Sequence, residues 1–112
     1  MSLDTALLAA MRTVNASSYA FPAAHPPPAL YATYQRVSGR RHATLNSGAG
    51  APRATFQIDC WSKVKGQAVE LAESLKDALP GLLKVGEITD NPDDFEDDTE
   101  LHRASFDVTI WQ

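Results

Sequence analysis

Two stretches of the chain, residues 53–61 and 101–111, alternate between apolar and polar positions. Successive side chains of a strand point to opposite faces, so this alternation predicts two strands that each bury one face. The side chains predicted to face the core are Phe56, Ile58, Cys60, Ala104, Phe106, Val108 and Ile110.

Apolar residues recur at helical spacing in two other stretches. Residues 63–79 have one apolar face and one polar face, which predicts an amphipathic helix. Ser62 is placed to cap its start, and Pro80 is expected to end it. Residues 2–14 carry a shorter stripe and predict a second helix, with Ser2 as its N-cap. The two apolar stripes consist of Val64, Ala68, Leu71, Ala72, Leu75, Ala78 and Leu79, and of Leu3, Leu7, Leu8 and Met11.

Composition assigns the remaining segments. Residues 30–38 are rich in Tyr and Thr and predict a strand, and residues 82–89 predict a weaker one. Residues 15–29 contain three consecutive prolines, which favour an extended connector. Residues 39–52 carry glycines and a proline and predict a polar loop, far longer than the 2–5 residues that a hairpin needs. Residues 90–100 predict an acidic loop.

These elements follow the order α-β-β-α-β-β. We expect an α+β fold in which two helices pack on one face of a four-stranded, mostly antiparallel sheet. At 112 residues the chain has the length of one domain. Residues 1–112 are therefore predicted to form a single unit, with an N-terminal helix (1–14), a proline-rich connector (15–29) and a sheet with its amphipathic helix (30–112).

The charges are segregated along the chain, although the net charge is only −4. The segment 36–53 contains four arginines and no acid, whereas the segment 87–100 contains eight of the 14 acids and no Lys or Arg. This separation predicts one basic and one acidic surface.

The sequence favours neither catalysis nor a bound cofactor. Cys60 alternates with apolar residues and is expected to be a small buried side chain rather than a nucleophile. The three histidines, His25, His42 and His102, show no ligand spacing, and the acidic loop lacks the EF-hand pattern. We therefore expect no enzyme activity, no cofactor and no metal. The N-terminus has no basic region typical of a signal peptide, and no apolar run reaches the ~20 residues that cross a membrane.

Three blocks carry a family resemblance. They are residues 34–39 (Tyr-Gln-Arg-Val-Ser-Gly), residues 57–61 (Gln-Ile-Asp-Cys-Trp) and residues 94–111. In their order and spacing, with the amphipathic helix between the second and third, the chain resembles the tail completion proteins of tailed bacteriophages, prophages and gene transfer agents, also called tail terminators or tail-to-head joining proteins. The chain departs from that pattern at His25 to Pro28, which has no counterpart, and at His102, where a Tyr is usual.

The resemblance implies a structural virion protein, assembled in the cytoplasm of a bacterial host. It implies a ring, usually of six copies, that ends the tail tube and joins it to the head connector or stopper protein. DNA would pass through the lumen of the ring without specific binding, and no membrane would be involved. The partners implied are further copies of the chain, the tail tube protein and the connector.

A ring needs two different, complementary patches on each copy, and the basic and acidic segments supply such a pair. The basic segment can instead be a solvated loop, or the binding loop of a small nucleic-acid-associated module that uses residues 36–53. Phe95, a large aromatic among carboxylates, is expected to be anchored in an apolar slot, either in its own core or in a neighbour's. The two tryptophans at strand ends are candidate interface anchors and fit the edge of the core equally well. The interface candidates are Arg36, Arg40, Arg41, Arg53, Trp61, Asp93, Asp94, Phe95, Glu96, Asp97, Asp98 and Trp111.

Overall fold

The computed structural model describes residues 2–22, 29–44 and 48–111, with the backbone alone for residues 38–44 and 48–52. These residues form two helices and six strands. In chain order the elements are α1 (Leu3–Val14), β1 (Ser18–Ala20), β2 (Leu30–Thr44), β3 (Gly48–Ser62), α2 (Lys65–Leu82), β4 (Lys84–Asp90), β5 (Asp94–Glu96) and β6 (Leu101–Trp111).

The sheet has six strands rather than the four predicted. Its order is β1-β2-β3-β6-β4, and β5 pairs with β6. The β1–β2 pair is parallel and the other pairs are antiparallel, so the sheet is mixed. The two extra strands have three residues each and lie in segments predicted as a connector and an acidic loop. Segments this short carry no alternation that a sequence reading can detect.

The prediction of a loop at residues 39–52 is wrong for most of that segment. β2 and β3 stay paired as far as Thr44 and Gly48, with register shifts at residues 37 and 42. β6 accompanies β3 only as far as Arg53. Residues 40–44 and 48–52 therefore form a two-stranded ribbon that extends beyond the rest of the sheet; we call it the ribbon. The three residues between its strands lie outside the described residues, as does the proline run of the connector.

The first helix matches its prediction. The Ser2 side chain accepts a hydrogen bond of 3.1 Å from the backbone N–H of Thr5, which satisfies one of the free donors of the first turn. Leu7 and Met11 are fully buried against the second helix and the sheet. The predicted apolar stripe therefore faces the core.

The second helix differs from its prediction at both ends. Val64, not Ser62, is the N-cap residue, and the Ser62 hydroxyl bonds the Val64 N–H (3.0 Å) and the Gln67 side chain (3.0 Å) instead. Val64 thus lies outside the helix and is exposed. Pro80 does not end the helix, because it falls in the last turn and the Leu83 N–H still bonds the Leu79 carbonyl at 2.9 Å.

One hydrophobic core joins the helices to one face of the sheet. The predicted core positions of β3 and β6 are confirmed, since all of them are at most 4% exposed. The predicted face of α2 is confirmed at its centre, where Leu71, Leu75 and Leu79 are buried. Both helix stripes thus meet the face of the sheet that presents Phe56, Ile58 and Phe106.

Candidate assembly surfaces

Charges of opposite sign lie on opposite sides of the sheet. Between Asp4 and Asp59 the chain has five arginines and no acid or lysine. This stretch forms most of α1, which carries Arg12, and then β1, β2 and most of β3, which carry the other four. The opposite edge of the sheet is formed by β4 and β5, within the segment that carries eight acids. We call these the basic side and the acidic side.

Two arginines of the basic side contact the chain's own side chains. The Arg36 guanidinium bonds the Asp4 carboxylate at 2.5 Å and lies 5.3 Å from the centre of the Phe56 ring. Arg36 therefore ties β2 to α1, although its side chain remains 45% exposed. Arg53 lies over the Trp111 ring. Arg40 and Arg41 occupy opposing positions to Arg53 and Pro52 at the base of the ribbon, and their side chains lie outside those described.

On the acidic side, two carboxylates are already paired within the chain. Arg103 of β6 bonds Asp94 at 3.2 Å, and Lys76 of α2 bonds Asp90 at 2.8 Å. The hydrogen bonds that Lys76 donates to the carboxylates of Asp90 and Glu73 raise the pKa of Lys76, so this lysine keeps its charge to higher pH than usual. Asp93, Glu96, Asp97 and Asp98 are exposed and form no ion pair with the described side chains. These four carboxylates are free to meet a partner.

Asn91 fixes the start of the acidic segment to the sheet. Its backbone N–H bonds the Ser105 carbonyl at 3.0 Å. Its side-chain amide donates to the Ser105 hydroxyl at 3.2 Å and to the Asp107 carboxylate at 2.9 Å. Because the segment is held at Asn91 and again by the Asp94–Arg103 pair, the acids that follow project from a fixed base.

Phe95 lies in an open cavity between α2 and the start of β6. Its ring is 4.7 Å from that of His102 and remains 44% exposed. The cavity measures about 290 Å³ and is lined on the helix side by Lys65, Ala68 and Val69. The lining is mixed in polarity, because it also includes Asp93, Asp94 and Arg103.

The two tryptophans differ in how deeply they are buried in their own chain. Trp61 is 6% exposed, stacks on Tyr31 with ring centres 6.1 Å apart, and donates a hydrogen bond of 3.0 Å to Thr33. It thus packs inside its own chain. Trp111 is only half-buried and lies against Gly86, where an added Cβ would come within 2.6 Å of the indole nitrogen.

The single cysteine has the environment of a structural residue. Cys60 is fully buried in the core. Burial, reinforced by the charge of Asp59, raises the pKa of the Cys60 thiol far above its ordinary value. A thiol held in its neutral form and shielded from solvent is a poor nucleophile.

Within the described residues no group of three or more His, Cys, Asp or Glu side chains is placed to hold a metal ion. None of the helices described here combines the length and the hydropathy that a bilayer crossing requires.

Sequence reasoning missed several residues that build these surfaces. Phe21 and Val37, both on the basic side, are 49% and 47% exposed. Asn91 and Arg103 position the acidic segment. In the sequence, these four residues are an aromatic residue inside a connector, a valine inside a strand and two single polar residues near strand ends. Such features are too common to single out. Of the predicted candidates, the structure brings Arg53 and Trp111 into contact and pairs Asp94 with Arg103, which was not a candidate. The basic and acidic segments lie apart within one copy.

The fold is similar to that of a chain in the solved virion of a native gene transfer agent (GTA) particle. The two chains share 12% sequence identity and a TM-score of 0.56, over 99% of this chain and 98% of that chain. At this identity the likeness establishes the fold alone. Residues 3–112 match the family model described as Tail completion protein gp17. The chain belongs to that tail completion family, and is accordingly a structural protein of the phage-tail virion. No curated protein sequence matches it.

Proposed function

We propose that the chain forms a closed ring, of six copies, that ends the tail tube and joins the tail to the head connector. The observation that carries this proposal is the placement of opposite charges on opposite sides of one sheet, in a member of the tail completion family. A cyclic assembly repeats one heterologous contact, in which the basic side of one copy meets the acidic side of the next.

The interface candidates fit this arrangement. Arg40 and Arg41 lie at the base of the ribbon. Arg53 lies opposite Arg40, at the last position where β3 pairs with β6. Asp93, Asp97 and their neighbouring acids are exposed on the far edge. Exposed ion pairs contribute only ~0–1 kcal/mol each, so they set the register and orientation of the copies more than the strength of the contact.

Packing in an assembly would stabilise the ribbon. A two-stranded ribbon is marginally stable in water unless it packs on something else. Residues 40–44 and 48–52 have no third strand beside them in the described part of the chain. In an assembly, the ribbon would lie against a neighbouring copy, the tail tube protein or the connector, and gain the packing that a single copy lacks.

The lumen requires a surface that DNA can slide past. The face of the sheet opposite the core presents the polar side chains of Thr55, Gln57 and Thr109 at its centre, beside the carboxylates of Asp59 and Asp107. Such a face contacts phosphates weakly, because Lys and Arg supply most of the non-specific affinity for DNA. DNA would therefore pass through the ring without specific binding.

The mass of the purified protein in solution, measured over a range of concentrations and followed by imaging, tests the proposal. A hexamer that images as a closed ring is the expected result. High salt should shift the equilibrium towards smaller species, because it screens the charges at the rim. A protein that stays monomeric at all concentrations, both alone and with purified tails, would contradict the proposal.

A small nucleic-acid-associated module is the second candidate, favoured by the five arginines between Asp4 and Asp59. The two functions make opposite predictions for DNA affinity. The ring function predicts weak binding that the Arg40→Glu, Arg41→Glu variant changes little, whereas the module predicts tight, salt-sensitive binding that this variant abolishes.

A further inference from the structure

We infer that Phe21 of one copy docks into the cavity beside Phe95 of the next copy. This inference rests on the proposed ring and names the apolar contact at the centre of each of its junctions. The occupant of the cavity is thus a second copy of this chain.

Phe21 is held in place but not covered. Its backbone N–H bonds the Tyr34 carbonyl at 2.9 Å, which fixes the residue at the outer edge of β2. Its side chain is nevertheless 49% exposed, and Val37 farther along the same strand is 47% exposed. The basic side therefore presents two large apolar side chains at one edge of the sheet. Burying them against another surface would be favourable, since aromatic side chains carry much of the energy of protein interfaces.

The cavity on the acidic side is suited to one such side chain. At about 290 Å³ it lies at the small end of the range of ligand pockets, which fits a single inserted ring better than a separate ligand. Its apolar lining comes from Ala68, Val69 and Phe95. Phe95 is 44% exposed and His102 packs against it, so an entering ring would meet an aromatic partner.

The surroundings of the two sites differ in charge. Phe21 lies on the side of the sheet whose strands carry four arginines and no acid before Asp59, and Arg36 beside Val37 is 45% exposed. The cavity is bordered by two acids and two cations, which are Asp93, Asp94, Lys65 and Arg103. Asp94 pairs with Arg103, whereas Asp93 forms no ion pair with the described side chains, and three more acids follow it at residues 96–98. An apolar centre inside a charged rim is the usual anatomy of a protein interface. Because the two sites lie on opposite sides of one sheet, a copy cannot fill its own cavity, and the contact runs head to tail.

Two single variants and their mixture test the inference. Phe21→Ser and Phe95→Ser each remove one half of the contact. The matched control is Leu82→Ser, which removes a side chain of similar exposure (47%) that borders neither site. Each of the two variants should raise the concentration needed for ring assembly by about thirtyfold, as loss of a central aromatic anchor does. The control should assemble like the wild type. Thermal unfolding should show that all three variants stay folded, with similar small losses of stability, because each replaced side chain is about half exposed.

The mixture gives the sharper result. A Phe21→Ser copy keeps an intact cavity, and a Phe95→Ser copy keeps an intact Phe21, so the two can form one sound junction with each other. The mixture should therefore yield heterodimers and no rings, while a variant with both changes should stay monomeric. Rings formed by either single variant at wild-type concentrations would overturn the inference and leave the proposed ring intact. A folded mixture without heterodimers would also overturn it. A wild-type protein that never self-associates would overturn the inference together with the proposed function.

Discussion

Arg53 and Trp111 oppose each other at the last register position that β3 shares with β6, with the guanidinium carbon 5.1 Å from the centre of an indole ring. The pair marks a structural boundary. On one side of it β3 lies between two strands, and on the other side it pairs with β2 alone. The ribbon begins at this boundary, and it is the part of the chain that we propose to pack against another subunit.

Amide exchange should reveal that dependence. In the monomer, the backbone amides of residues 40–44 and 48–52 should exchange much faster than those of residues 54–60, because a two-stranded ribbon opens easily. Assembly should slow the exchange of the ribbon and leave residues 54–60 unchanged. Equal protection of both segments in a confirmed monomer would show that the ribbon needs no partner.

Two glycine substitutions should have opposite effects on stability. A Cβ at Gly86 would come within 2.6 Å of the Trp111 indole nitrogen, so Gly86→Ala must displace that ring and should cost about 1–3 kcal/mol. Gly66 lies in the first turn of α2 with no atom within 4 Å of an added Cβ, so Gly66→Ala should add about 0.5–1 kcal/mol.

Chemical denaturation of the wild type and both variants measures the two effects. A gain in stability from Gly86→Ala would mean that Trp111 does not rest on the β4 backbone.

Stability should fall at alkaline pH, and part of the fall should depend on Cys60. Burial raises the pKa of its thiol above the ordinary value of 9.0, so the folded state retains a proton that the unfolded state releases. The contribution is complete below pH 9 and is lost as pH rises, by about 1 kcal/mol between pH 9 and pH 10. Tyr31 and Tyr34, whose pKa values are also raised by burial, extend the fall above pH 10.

The variant Cys60→Ala isolates this effect. Its free energy of unfolding should decline less steeply than that of the wild type between pH 9 and pH 10, whatever its stability at neutral pH. Parallel curves for the two proteins would show that the Cys60 thiol ionises equally in both states.

Charge reversal should weaken assembly, and a second reversal should restore it. Arg40→Glu with Arg41→Glu places two glutamates opposite Asp97 and Asp98 at each junction if the ribbon meets the acidic segment. The repulsion between these like charges should raise the concentration needed for ring assembly. Adding Asp97→Lys and Asp98→Lys should recover part of the loss. Mass measurements at low and high salt check both variants, and high salt should reduce the differences between them. Independent, additive losses from the two changes would place these residues on surfaces that do not meet.

The core was predictable because burial leaves a periodic trace. Phe56, Ile58 and Cys60 alternate with polar residues, and Leu71 and Leu75 recur at helical spacing, so the central strands and α2 could be placed from the sequence. The bounds of β6 agree with the prediction because its alternation runs unbroken from Ala104 to Ile110. These residues are buried within a single chain, and their periodic spacing is visible in short stretches of the sequence.

The ribbon and the short strands could not be predicted for the opposite reason. Glycine and proline are depleted in strands, and the sequence of residues 40–52 shows no alternation of apolar and polar positions that would predict one. Asp94 to Glu96 pair with the start of β6 as an antiparallel strand, and the Asp94 side chain also bonds Arg103. Both are long-range contacts without a local signal. The acidic and basic candidates were visible as charge runs, but their placement on opposite sides of one sheet depends on the strand order.

Electron microscopy of the particle that carries this protein tests the central claim most directly. In particles that lack the protein, tails should be of irregular length and separate from heads, because nothing ends the tube or joins it to the connector. Restoring the protein should give joined particles with one closed ring between the tube and the connector, and the Phe95→Ser variant should restore few of them. Normal, joined particles formed without the protein, or density for it away from the head-to-tail junction, would contradict the account.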